Sequence, residues 1–146
     1  MKKYEFTGET KRVELWNRTA TLHRIKATVE FGFVKVGELG GWIEKEENLS
    51  HEGKAWVWGN AKVCGDAKVF LASHVLVMGS VGSRNDFTTF FRDKDNEITV
   101  KCGCFLGKID KFLEKVTQTH GNNKYALVYR AAVEVAKLQI ELTERK

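Results

Sequence analysis

The sequence predicts an α+β protein in three parts. These are a β-rich head over residues 1–50, a short left-handed β-helix-like repeat over 51–80, and a tail over 81–146 with a β-hairpin and two α-helices. Three observations carry this. Apolar residues alternate along the head, a six-residue phrase recurs from Ala55, and two C-terminal stretches place apolar residues at helical spacing.

In the head, "TLHRIKATVEF" alternates around Leu22, Ile25, Ala27 and Val29, and "GFVKVGELGGWIEKEENLS" continues with strand-like Val34 and Val36. Gly40-Gly41 reads as punctuation and "EKEEN" as a solvated loop. The repeat then breaks into four units opened by Ala55, Ala61, Ala67 and Ser73, with valine two places on at Val57, Val63, Val69 and Val75. A six-residue period suits one short strand and a corner per unit, with valines stacking inside a coil. Gly-Asn and Gly-Asp tolerate the backbone of a corner. The same residues also suit two β-hairpins. Four units make little more than one coil, so the repeat needs a neighbour to cover it.

In the tail, "FTTFF" and "EITVKCG" read as strands joined by the polar turn "RDKDN". Ile109, Phe112, Leu113 and Val116 form the apolar stripe of a first helix, with Gly121 just past its end. Tyr125, Tyr129, Ala132, Ala136 and Ile140 form the stripe of a second helix, widened by Val128, Val133, Val135 and Leu138. So broad an apolar face predicts more than one packing partner, and with the open ends of a one-coil repeat it predicts a homo-oligomer.

Composition narrows the function classes. The chain has 146 residues, 42% hydrophobic and 11% aromatic, which fits a folded domain. No apolar run is long enough for a membrane span. "MKKYEFTGETKR" lacks the apolar stretch of a signal peptide, and three cysteines suit a reducing cytoplasm. The net charge of +5 permits an anionic partner, but no dense Lys/Arg run marks long nucleic acid.

"GELGGWIEKEENLS", the small-x-Val repeat and "GSRND…TTFF…CGCFLG…HGNNKY" together resemble a family of bacteriophage and prophage proteins. In that family a β-rich head precedes a variable number of six-residue repeats and a small α/β tail. The resemblance covers nearly the whole chain, with a repeat array here reduced to a connector. It places the protein in the cytoplasm of a bacterial host and puts the function in the ends of the chain.

The candidate site residues gather in the tail. In "GSRND", Ser83 offers backbone N–H, Arg84 a bidentate fork, and Asn85 and Asp86 groups that read hydroxyls or base edges. Thr88, Arg92 and Lys101 add a hydroxyl and charge, and "THGNN" adds His120 and Asn122. The set suits a phosphate beside a sugar. The alternatives are an Asx-type turn with Arg84 paired to Asp86, and a His120 that closes the first helix through its dipole. Cys102 and Cys104 lack the ligand count of a zinc site. On a strand both would share one face as small structural residues. No cofactor fingerprint, catalytic triad or paired catalytic carboxylate is present.

The expected function is therefore binding without chemistry. The profile is similar to phage proteins that sequester a small anionic nucleotide signal, a cyclic oligonucleotide or ADP-ribose derivative, against a bacterial immune system. The other readings are a structural or protein-interaction module and an acyltransferase-like enzyme of the six-residue-repeat type.

Overall fold

The computed structural model describes residues 2–83 and 85–142. Two four-stranded sheets and two helices make up the fold. The first sheet holds β1 (Tyr4–Glu14), β2 (Thr19–Ala27), β3 (Leu39–Ile43) and β4 (Lys62–Val63), in that order. β1, β2 and β3 are antiparallel, with Val13 opposite Ala20 and Arg24 opposite Trp42. Only the short β3–β4 pairing, Trp42 beside Lys62, is parallel.

The left-handed β-helix expected over 51–80 is not formed. The small residue and valine of the first three units are buried, at Ala55, Val57, Ala61, Val63, Ala67 and Val69. They do not stack on a second coil. They pack against the head, in one core with Tyr4, Ile25, Ile43 and Leu49. Among the described residues parallel contact is confined to β3–β4 and the Leu49–Val69 bridge. From Val75 the chain leaves the repeat for an antiparallel strand. The physical reason is the one that limits any short solenoid: four units cannot cover one another, and the head sheet is the nearest apolar face.

Gly40 and Gly41 are not punctuation but lie inside β3. A Cβ on Gly40 would collide with Trp56 and Ile25, and one on Gly41 with the carbonyls of Trp58 and Ala61. The two glycines let residues 55–61 lie directly on the strand. "EKEEN" is likewise not simply solvated. Glu46–Asn48 forms a 3-10 turn whose last residue is fully buried.

The second sheet is an antiparallel meander of β5 (Val75–Val81), β6 (Asp86–Arg92), β7 (Ile98–Cys102) and β8 (Phe105–Lys108). Alternation gives it two faces. Phe90, Ile98 and Val100 pack under α1 (Ile109–His120) and α2 (Lys124–Gln139), against Phe112, Val116, Tyr129 and Val133. Phe91 turns the other way and joins the core of the first sheet. Each fully buried phenylalanine adds about 1.5–3 kcal/mol relative to exposure. Gly121 ends α1 at φ 61°, and the Asn123 side chain starts α2 by accepting from Ala126 N–H at 3.1 Å. Among the described residues no helix is long and apolar enough to cross a membrane.

Candidate functional site

The turn between β5 and β6 is brought onto the helices by Gly82, whose φ is 79° and where a Cβ would collide with the Tyr129 hydroxyl. Asn85 N–H donates to Gly82 carbonyl at 3.1 Å, closing a β-turn, with Asn85 itself at φ 50°. Ser83 N–H then donates to the Tyr129 hydroxyl at 3.2 Å, and Ser83 Oγ lies 3.4 Å from His120 Nε2. His120, the last residue of α1, stacks on the Tyr129 ring at a centroid distance of 5.9 Å and leans on Tyr125. Burial holds the Tyr129 phenol above its ordinary range.

Ser83, His120 and Tyr129 line a cavity of about 140 Å³ that also meets Cys104, Phe105 and Lys115. Those last three residues also line a larger cleft of about 590 Å³ between β8, α1 and the β1–β2 turn. Its outer wall is Trp16. That ring is 68% exposed, yet Trp16 N–H donates to Cys104 carbonyl at 3.0 Å and its Nε1–H to Leu106 carbonyl at 3.3 Å. A tryptophan so pinned is a fixed flat wall. Lys108, Lys111 and Lys115 stand on the rim with a single acid, Glu114. Lys111 meets Glu114 at 3.4 Å, and Lys108 is engaged by Asp93, Asp95 and Glu97. Among the described residues Lys115 has no ion pair. An apolar slot of this size with a few cations suits a flat ligand that carries negative charge.

The residues singled out in the sequence are therefore divided. Ser83 and His120 meet, 37 positions apart. Arg84 lies outside the described residues. Asp86 is exposed, and its side chain accepts from Phe87 N–H at 2.7 Å. Thr88 is buried on the helix side and donates to Cys102 Sγ at 3.4 Å. Arg92 is buried, clamping Asn96 Oδ1 and Lys68 carbonyl beneath the Phe70 ring. Lys101 is buried on the opposite face of β7 from Cys102 and donates to Gly103 carbonyl. Asn122 accepts from Arg130 at 3.0 Å, part of the fork that closes the end of α1.

Cys102 and Cys104 do not share a strand face. Cys102 ends β7 half-buried, and Cys104 is exposed in the turn to β8. Burial pushes the third thiol, Cys64, up to about 11, which keeps it protonated and inert. Among the described residues no three His, Cys, Asp or Glu side chains converge on a metal position. No carboxylate there orients His120.

Sequence reasoning passed over Trp16 and Lys115. A tryptophan in the polar turn "LWNRT" was the available signal for the first. Nothing local marks Lys115 among the lysines of α1. No family model and no curated protein matches the chain.

Proposed function

We propose that the protein binds a small anionic nucleotide and holds it intact, with the base in the Trp16 cleft and the phosphate toward Lys115, Ser83 and His120. The observation that carries this is that the two cavities share Cys104, Phe105 and Lys115 as lining, which sets an aromatic slot near an unpaired cation, a hydroxyl and an imidazole. A serine 3.4 Å from a histidine without an orienting acid supports positioning more than nucleophilic attack. That the ligand is an immune signal, a cyclic oligonucleotide or ADP-ribose derivative met in the cytoplasm of a phage host, rests on the resemblance to phage proteins.

The test is calorimetric titration with a panel of cyclic di- and trinucleotides and ADP-ribose derivatives, followed by release of the bound molecule by heat. Recovery of the intact ligand is expected, and recovery of a converted one would make the protein an enzyme. Trp16→Ala removes a stacking wall of about 1–3 kcal/mol and should weaken binding by about 10- to 100-fold. Trp16→Phe should retain most of it. Lys115→Gln should weaken binding about 10-fold with a loss that shrinks at high salt. Unchanged affinity in Trp16→Ala and Lys115→Gln would remove the cleft from the site.

We also infer pairing with a second copy through the outer face of α2. Val128, Ala131, Val135 and Leu138 follow the alternating three- and four-residue steps of a helix–helix seam, and Leu138 is 87% exposed. Lys124 at the start of the helix and Glu141 beyond its end would meet across an antiparallel pair. Light scattering at tens of micromolar should give a dimer mass. Leu138→Glu should give a monomer with its melting temperature as an isolated chain intact, and a monomeric wild type would remove this interface.

A further inference from the structure

One face of the first sheet gathers cations that carboxylates do not balance. Arg24 on β2 lies opposite Trp42 on β3, and Trp42 lies beside Lys62 on β4. Lys11 on β1 places its Nζ 4.4 Å from the centroid of the Trp42 ring, and the Arg24 guanidinium carbon lies 5.8 Å from the same point. The buried Lys101 approaches from the second sheet, within the electrostatic reach of Lys62. Partial burial first, and repulsion from Lys62 second, hold both Lys11 and Lys101 below the ordinary lysine range.

The acids nearby are few. Glu9 meets Arg24 at 3.4 Å, and Asp86 acts on Lys11 and Lys101 only at longer range. Further along β2, Lys26 has its own partner in Glu5 at 3.5 Å. Among the described residues neither Lys11 nor Lys62 forms an ion pair. A surface that keeps like charges together without counter-charge sacrifices stability, a pattern expected where function requires it.

We propose that this face binds a linear phosphoanhydride anion, the charge-dense group common to nucleoside polyphosphates and inorganic polyphosphate. Lys11 reaches across to the Trp42 ring on β3, where Arg24 also lies and beside which Lys62 stands on β4, so the cations form one cluster that meets the closely spaced oxygens of neighbouring phosphate units. An extended peptide shows a side chain to one face only about every 7 Å, whereas a phosphate chain is charged at every unit. β1 and β4 are the edges of this sheet, but Arg24 stands on β2, which is paired on both sides, so the cations are offered by the face of the sheet and not by a backbone edge. Lys11 and Lys62 line neither cavity of the cleft, so this inference goes beyond the nucleotide reading and does not depend on it.

Thermal melts at low salt with inorganic tripolyphosphate test it. Wild type should gain about 3–5 °C at saturation. Lys11→Gln/Lys62→Gln should melt above wild type without ligand, because a repulsion is removed, and should lose the gain. The single variants are read in the same way, so a folding defect in the double variant cannot hide the result. Lys35→Gln, a charge change outside this cluster and outside the cleft, should gain as much as wild type. Equal gains with ATP and tripolyphosphate would assign recognition to the phosphate chain alone. A gain with ATP only, lost in the lysine variants, would name a nucleoside polyphosphate as the source. The proposal is overturned by a wild type that responds to neither anion, or by lysine variants that respond like wild type or melt below it without ligand. An equal gain with an oligo-aspartate peptide would overturn it in favour of an acidic partner.

Discussion

Asn48→Ala should destabilise the fold by about 4 kcal/mol, a large share of the stability of a domain. Asn48 is 0% exposed, and its amide is used at every position. Oδ1 accepts from Glu44 N–H at 3.1 Å and Lys45 N–H at 3.0 Å, while Nδ2 donates to the carbonyls of Gly65 at 3.1 Å and Ala67 at 3.2 Å. One side chain thus ties the end of β3 to the segment after β4. Deleting it orphans the Lys45 N–H and the carbonyls of Gly65 and Ala67, since Glu44 N–H keeps a second acceptor in the Val63 carbonyl at 3.1 Å, at roughly 1–3 kcal/mol for each group that water cannot reach. The total stability of a domain is only about 5–15 kcal/mol. Asn48→Asp separates donor from acceptor. It keeps the two accepted bonds, loses both donated ones, and turns a negative charge toward two carbonyls. Its loss should be greatest at neutral pH and should shrink as the new carboxyl is protonated. Urea unfolding of both variants at pH 7.5 and 5 reads these effects. A loss under 1 kcal/mol in Asn48→Ala would mean that water replaces the amide.

This asparagine also marks where sequence reading stops. Within "EKEEN" it is one polar residue among charged ones, and its burial is decided by Gly65 and Ala67, which local patterning cannot see. The same holds for the repeat. The small-x-Val rhythm marks buried positions in its first three units and only half-buried ones at Ser73 and Val75, because alternation reports which side chains face a core. It does not report what the core is. A coil of its own and the apolar face of the head demand the same rhythm, and the fold uses the second in place of the expected β-helix. The two helical stripes were more legible, since Phe112, Val116, Tyr129 and Ala136 are spaced for one face and are buried.

The candidate site was legible only in pieces. Ser83 and His120 stood out as loop residues with chemistry, and the helix turn brings them together. Thr88 and Arg92 stood out in the same way, but strand alternation turns both inward, where Cys102, Asn96 and Lys68 engage them. Lys11 and Lys62 could not have been paired from the sequence. They share a sheet face only because β4 joins at the far side of β3, by a parallel pairing of two residues.

Acidification from pH 7.5 to 5 should remove about 2 kcal/mol of stability through His74 alone. His74 is 0% exposed, and its Nδ1 accepts from the N–H groups of Phe70 and Leu71, both at 3.1 Å. That places the ring proton on Nε2, and a second proton would have to enter at Nδ1 and break both bonds. Burial first, and the nearby Arg92 charge second, lower the imidazole from 6.5 to about 4. The folded pKa lies below the unfolded one, so the unfolded chain takes up the proton first. The stabilising contribution is therefore complete above about pH 6.5, falls as pH drops through the window, and is gone below about pH 4. At 1.36 kcal/mol per unit, the part lost by pH 5 is about 2 kcal/mol. His74→Gln can keep an acceptor for the two N–H groups and does not titrate. It should be less stable than wild type at pH 7.5, through poorer packing against Phe70, and should close the gap or pass wild type at pH 5. Carboxylates titrate in both proteins, so the difference between their urea midpoints isolates the histidine. Parallel pH profiles for the two proteins would show that His74 is protonated in the folded state or reached by water.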